Sequence, residues 1–273
     1  MIHKSKSLKV AINQTNKSKM SEFINVLVVI PARYASTRLP GKPLEMIGSK
    51  SMIHRVYDQA IKCNAVDKVV VATDDQRIMD YCEQHKLDCA MTKEDHPSGT
   101  DRVAEVATLY PDYEVIINIQ GDEPFIDPDQ ISDLVEMFVD PASDIVTQCI
   151  EITDEHKLHD FNVVKVVRDQ LDKVLYFSRQ AIPAHRDIPY SEWIEKSKYY
   201  QHIGIYGFRR DTLLQLIELP VSDLEKNESL EQLRWMDYGY DILAKETSYE
   251  AIGIDTYEDL MMARKLVEIN GEV

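Results

Sequence analysis

The chain has 273 residues, and its formal net charge is −16, from 31 Lys and Arg against 47 Asp and Glu. That length supports a substantial core, while the acidic balance argues against a general nucleic-acid binder, which needs a basic face for phosphates. The longest apolar run, Val26 to Ile30, is far too short to cross a bilayer, and the first twenty residues lack the apolar stretch of a signal peptide.

Residues 1–22 read as a tail, disordered or assigned upstream of a true start at Met20. The first twenty of them carry five Lys and no acidic residue. A buried strand is predicted over 26–30. A helix follows over 51–63, with Ile53, Val56, Tyr57, Ala60 and Ile61 on one face. Next come a strand at 69–72, a helix near 76–86 opened by Asp75, and a helix at 101–109 capped near Ser98 or Thr100. A third strand spans 115–119, then a helix near 128–139 and a strand near 145–150. This alternation predicts an α/β fold: a mainly parallel sheet with helices on both faces. After about residue 150 the rhythm changes. Segments 163–167, 174–177 and 203–208 are strand-like, with polar, Pro-containing stretches between them. They suggest a smaller β-rich lobe, at about 151–220, inserted in a single domain of residues 23–273. Helices at 224–238 and 256–268 close the chain. Cys63, Cys82, Cys89 and Cys149 form no CxxC or zinc spacing and read as reduced thiols of a cytosolic protein.

Ligands of open parallel sheets bind beyond the carboxyl ends of the strands, and four polar clusters fall there. The stretch Pro31-Ala32-Arg33-Tyr34-Ala35-Ser36-Thr37-Arg38-Leu39-Pro40-Gly41-Lys42 puts three cations, Arg33, Arg38 and Lys42, on one loop. Arg forks and a Lys point charge suit a polyphosphate, and small residues such as Ala32 and Ser36 admit its close approach. The loop matches neither GxxxxGK[ST] nor GxGxxG. Thr73-Asp74-Asp75 and Ser98-Gly99-Thr100 can offer polar groups to a base or ribose, or serve only as helix caps. Gln120-Gly121-Asp122-Glu123 follows the third strand, and Asp255 precedes the last helix. A carboxylate facing a phosphate loop suggests Mg²⁺, which takes one or two carboxylates plus phosphate oxygens. Helix capping is the competing reading of Asp255.

Taken together these stretches, with Leu175-Tyr176-Phe177-Ser178-Arg179, His202-Ile203-Gly204-Ile205-Tyr206-Gly207 and Leu230-Glu231-Gln232-Leu233-Arg234, resemble the 3-deoxy-manno-octulosonate (Kdo) cytidylyltransferase family from about Val26 to Leu266. The resemblance implies a Rossmann-like nucleotidyltransferase with a lobe for dimerisation and sugar binding. It implies a cytoplasmic homodimer that makes CMP-Kdo and pyrophosphate from CTP and Kdo for lipopolysaccharide synthesis, with no membrane or nucleic-acid partner. By similarity Arg33, Arg38 and Lys42 hold the triphosphate, Asp122 and Asp255 hold Mg²⁺, and Ala32, Ser36, Thr73, Asp74 and Ser98 lie along the nucleotide. Gln120, Arg179, His202, Tyr206, Glu231 and Gln232 face the sugar, with Arg179 on its carboxylate. Ala184 stands where the family usually has an aromatic residue. Two alternatives stay open: the same reaction on 8-amino-Kdo or another 2-keto sugar acid, and a non-catalytic nucleotide-sugar-binding protein.

Overall fold

A computed structural model describes residues 24–35, 39–250 and 252–271. The tail at 1–22, and Ser36 and Arg38 of the cationic loop, therefore lie outside the described residues. Strand β1 (Val26–Ala32) sits at the middle of the sheet. On one side it pairs in parallel with β4 (Lys68–Thr73), which pairs with β5 (Cys89–Met91). On the other side lies β6 (Val115–Asn118), also parallel. Beyond β6 come β10 (Tyr199–Arg209), β7 (Ile145–Ile152) and β11 (Ile242–Glu246). Among the described strands on this path, only β10 runs against its neighbours. A separate hairpin, β2 (Met46–Ile47) and β3 (Lys50–Ser51), follows the first loop.

The strands are apolar on both faces because both are covered. Val26, Val28 and Ile30 of β1 pack with helices α1 (Met52–Ile61), α2 (Gln76–His85) and α4 (Pro128–Glu136). Leu27 and Val29 point the other way, toward α3 (Gly99–Leu109), α7 (Arg210–Leu216) and α9 (Gln232–Asp237). The period of two along each strand assigns side chains to faces. The expected single helix at 224–238 is instead α8 (Asp223–Glu228) and α9. Ser229 stands between them in the left-handed region, at φ 50°, and ends α8. Leu230 then turns into the core.

The segment expected as a β-rich lobe contains α5 (Glu155–His159), β8 (Lys165–Arg168), β9 (Val174–Ser178) and α6 (Trp193–Lys196). A small core of Ile152, Leu158, Ala181, Trp193 and Tyr199 supports it. β10 joins this arm to the main sheet: Tyr200 and Gln201 pair with β8, whereas Tyr206 to Arg209 pair with β6.

The last helix, α10 (Tyr257–Asn270), packs beside the first loop. Ile254, Leu260, Ala263 and Val267 meet Leu39, Ile47 and Met52 in a satellite core. Burying one such aliphatic side chain contributes about 1.5–3 kcal/mol. Packing of this kind, and not the marginal stability of a short isolated helix, anchors the last helix to the first loop and hairpin.

Candidate active site

The cationic loop closes on itself: Gly41 N–H donates to Tyr34 O at 3.0 Å. Gly41 has φ 74°, and a Cβ there would meet the Tyr34 ring at 3.1 Å, so the turn requires glycine. It delivers Lys42 toward two carboxylates from distant parts of the chain. Lys42 Nζ lies 2.7 Å from Asp122 Oδ2, just past β6, and 3.2 Å from Asp255 Oδ1, just before α10. Asp255 does not cap the helix. Thr256 is the N-cap, paired with Asp259 in a capping box. The backbone secures this junction, with Ile254 N–H donating to Asp122 O at 3.0 Å.

Gly121 explains how β1 and β6 approach so closely here. A Cβ on it would lie 2.7 Å from the Pro31 carbonyl oxygen, a backbone atom with little freedom to retreat. Gly121→Ala is expected to part the two strand ends. It should destabilise by about 1–3 kcal/mol and cut turnover at least tenfold by misplacing Asp122. Thermal melts and pyrophosphate release test this, and wild-type values in both would refute the close-approach argument.

Beside this cluster, Asp74 follows β4 and its Oδ2 accepts from Arg102 Nη2 at 2.7 Å. Arg102 is fully buried in α3 and also contacts Thr92. Thr73 is buried, and its hydroxyl accepts from Asp75 N–H. Ser98 caps α3 as expected. Asp75 likewise caps α2.

A second polar group lies where β6, β10, α3 and α9 meet. Gln120 Nε2 is 3.4 Å from Gly204 O. The rings of His202 and Tyr206 are 5.2 Å apart. Glu231 accepts from Thr100 Oγ1 at 2.6 Å and lies 2.8 Å from Ser98 Oγ, with buried Gln232 next to it. Burial pushes the Glu231 carboxyl upward, against the pull of those two hydroxyls. The Tyr206 hydroxyl is buried without a partner among the described residues, and burial raises it well above the ordinary phenol range.

Residues 27–265 match the sequence profile of the family described as Cytidylyltransferase. The chain belongs to that family. A 3-deoxy-manno-octulosonate cytidylyltransferase of Bacteroides thetaiotaomicron is 44% identical over 246 residues, covering 89% of this chain and 98% of the relative. One of Francisella tularensis subsp. holarctica is 42% identical over 249 residues, covering 90% and 99%. A solved structure, CMP:2-keto-3-deoxy-manno-octonic acid synthetase complexed with CTP, superposes with a TM-score of 0.84 at 41% identity, over 90% of this chain and 99% of that one. These relatives place the chain among the Kdo cytidylyltransferases, nucleotidyltransferase enzymes, and the superposition agrees with the expected fold class. Among the described residues no helix is long and apolar enough to cross a membrane.

Two residues of this cytidylyltransferase depart from their expected environments. Arg33 is not presented to an open loop: its Nη2 donates to His96 O at 2.6 Å and Ser98 O at 3.3 Å. It ties the cationic loop to the cap of α3. Arg179 donates from Nε to Glu228 O, from Nη1 to Phe161 O and from Nη2 to Ser229 O. Its guanidinium braces the arm against the turn before Glu231. In both cases nearby carbonyls satisfy a fork that the loop sequence alone left without partners. Ala32 ends β1 and is buried.

Sequence reasoning gave no role to Arg102, two residues past Ser98-Gly99-Thr100, or to Glu123, the last residue of Gln120-Gly121-Asp122-Glu123. Arg102 shares the buried stripe of α3 with Val103, Val106 and Ala107, and a lone cation on such a stripe signals an internal partner. Glu123 is buried beside Asp122. Burial, reinforced by that neighbouring charge, pushes its carboxyl to about 7.

His202 has its own pH signature. Burial lowers it from 6.5 to about 3. The unfolded chain therefore takes up a proton below pH 6.5 that the folded chain refuses, so stability falls as pH falls through that window. Between pH 7 and 5 the loss attributable to His202 is about 2 kcal/mol. Urea melts should show a correspondingly smaller loss for His202→Gln. Equal losses in the two proteins would refute a neutral His202.

Proposed function

We propose that the chain transfers CMP from CTP to the anomeric hydroxyl of 3-deoxy-D-manno-octulosonate. The observation that carries this reading is the convergence of Lys42, Asp122 and Asp255 at the strand ends, together with a second polar cluster around Gln120, His202, Tyr206 and Glu231. A cationic and acidic cluster suits a metal-bound triphosphate, and hydroxyl-binding groups suit a sugar. The hydroxyl oxygen bonds to the α-phosphorus, the bond from that phosphorus to the β-phosphate bridge breaks, pyrophosphate departs, and the hydroxyl proton passes to solvent. Such a transfer needs alignment and charge neutralisation more than covalent help from the protein.

Asp122 and Asp255 fit Mg²⁺: they are two hard oxygen donors brought to one point, where the Lys42 ammonium already balances them. Mg²⁺ bound there supplies Lewis-acid charge neutralisation to phosphate oxygens. Lys42, released from one carboxylate, turns its ammonium to the triphosphate, joined by Arg38. Arg33 positions the loop through the 96–98 carbonyls, with Ala32 and Ser36 along the phosphates. Thr73, Asp74 and Ser98 line the nucleotide side, Asp74 held in place by Arg102. Gln120, His202, Tyr206, Glu231 and Gln232 contact the sugar. Arg179 reaches its carboxylate only by giving up carbonyls at 228–229. The arm carries exposed Phe161, Leu171, Leu175 and Tyr190, apolar surface that supports a homodimer formed there. The nucleotide substrate and reduced thiols support a cytoplasmic enzyme serving lipopolysaccharide synthesis.

The test is Mg²⁺-dependent pyrophosphate release from CTP with Kdo, 8-amino-Kdo, N-acetylneuraminate or no sugar. Rapid release with Kdo alone is expected. Release with a different acid reassigns the sugar pocket, and no release from protein that binds CTP leaves a nucleotide-binding protein.

A further inference from the structure

β10 carries a bulge inside the sugar pocket. Ile203 pairs with Gln148 and Tyr206 with Thr147, so Gly204 and Ile205 have no opposite residue on β7. A bulge interrupts the ladder and re-aims side chains near sites. The freed carbonyls find other donors. Gln120 Nε2 approaches Gly204 O, and Thr147 Oγ1 lies 3.1 Å from Ile203 O and 2.7 Å from Ile205 O. The same hydroxyl lies 3.0 Å from His202 Nε2.

A hydroxyl has one proton and two lone pairs. Carbonyl oxygens only accept, so the Thr147 proton belongs to the Ile203 and Ile205 carbonyls. Thr147 Oγ1 must then accept from His202, and Nε2 must carry the ring's proton. The opposite tautomer would set two lone pairs against each other and leave buried groups unpaired, which is costly. Nδ1 has no hydrogen-bond partner among the described residues. The ring is half-buried, edge-on to Phe177 and tilted against Tyr206. Burial keeps it uncharged at neutral pH.

We propose that Thr147 is a positioning residue: it fixes His202 as the Nε2–H tautomer, leaving Nδ1 to accept a hydrogen bond from a substrate hydroxyl. This deepens the proposed function and rests on its placement of the sugar beside His202. A neutral acceptor atom selects a hydroxyl donor and has no attraction for the sugar's carboxylate. His202 therefore reads the hydroxyl pattern of the sugar, and the bulge is the backbone device that makes Thr147 accept.

The experiment uses full-length protein labelled with ¹⁵N-histidine and two-bond ¹H–¹⁵N correlation spectra from pH 5.5 to 8. His202 is assigned by its loss in His202→Gln. Wild type is expected to show the neutral Nε2–H pattern throughout. Thr147→Val should give a mixture of tautomers and raise the KM for Kdo at least tenfold with the CTP KM unchanged. Thr147→Ser should restore both. An Nδ1–H or charged His202 in wild type at pH 7 overturns the proposal, whether or not the variants fold. So does an unchanged tautomer in folded Thr147→Val. A tautomer shift with neither KM altered overturns the acceptor role and, with it, the sugar's placement at His202, while leaving CMP transfer itself intact. Loss of turnover with normal spectra in wild type would instead count against the proposed reaction.

Discussion

Asp122→Asn is expected to lower kcat by at least about a thousandfold, roughly 4 kcal/mol of transition-state stabilisation, while the protein stays folded. The Asp122 carboxylate meets Lys42 at the point where β1 and β6 come together. The amide keeps the shape and loses the charge on which a divalent cation depends. Stability should change by less than about 1 kcal/mol, because the ion pair is partly exposed, with side chains 15% and 28% accessible, and such pairs contribute little. Asp255→Asn should behave alike and should also raise the Mg²⁺ concentration needed for half-maximal rate. Pyrophosphate release across a Mg²⁺ titration, alongside thermal melts, reads both effects. Near-normal turnover in either variant would remove the metal assignment.

The largest expected stability change comes from a different pair. Asp74→Asn should destabilise the fold by about 3–5 kcal/mol, because it leaves the Arg102 guanidinium buried without its counter-charge. For a chain of this size that corresponds to a melting temperature lower by roughly 10 °C. Arg102→Met alone leaves the part-buried Asp74 unpaired and should cost a similar amount. The double replacement Asp74→Leu with Arg102→Met should recover much of the loss, since apolar side chains of similar volume often replace a buried ion pair without penalty. It should not recover CTP binding if Asp74 touches the nucleotide. Denaturant melts of the four proteins make the comparison, and single variants within about 1 kcal/mol of wild type would show that the pair carries no such burden.

Much of the fold was legible because its signals are local. The period of two in β1 and the period of 3.6 in α1 state which faces are covered, and the alternation of such segments states a parallel sheet. Ser98 and Asp75 start helices through their own side chains. The misses have an equally physical cause. The segment 203–208 is apolar on both faces, which suits an edge of a covered lobe as well as the middle of the main sheet. Only pairing with β6 and β7 distinguishes them. The edge strands β5 and β11 were not anticipated. Cys89-Ala90-Met91 is too short for a periodic signal, and Ile242–Glu246 mixes apolar and charged residues as exposed edges do.

The site divides the same way. That Lys42, Asp122 and Asp255 are chemical groups at strand ends could be read from the chain, because each is set by the motif around it. That the last two converge on the first depends on a satellite core which folds α10 back against the opening loop. The destinations of Arg33 and Arg179 were likewise decided in three dimensions. A guanidinium bonds to whichever acceptors the fold brings within reach, and carbonyls at 96–98 and 228–229 arrive first. By itself the sequence determined the alternation of most central elements, the family and which chemical groups stand at the strand ends, all of which are carried by local pattern. Tertiary structure alone decided which polar groups are satisfied internally and which are not, because hydrogen-bond saturation is a property of neighbours that are distant along the chain.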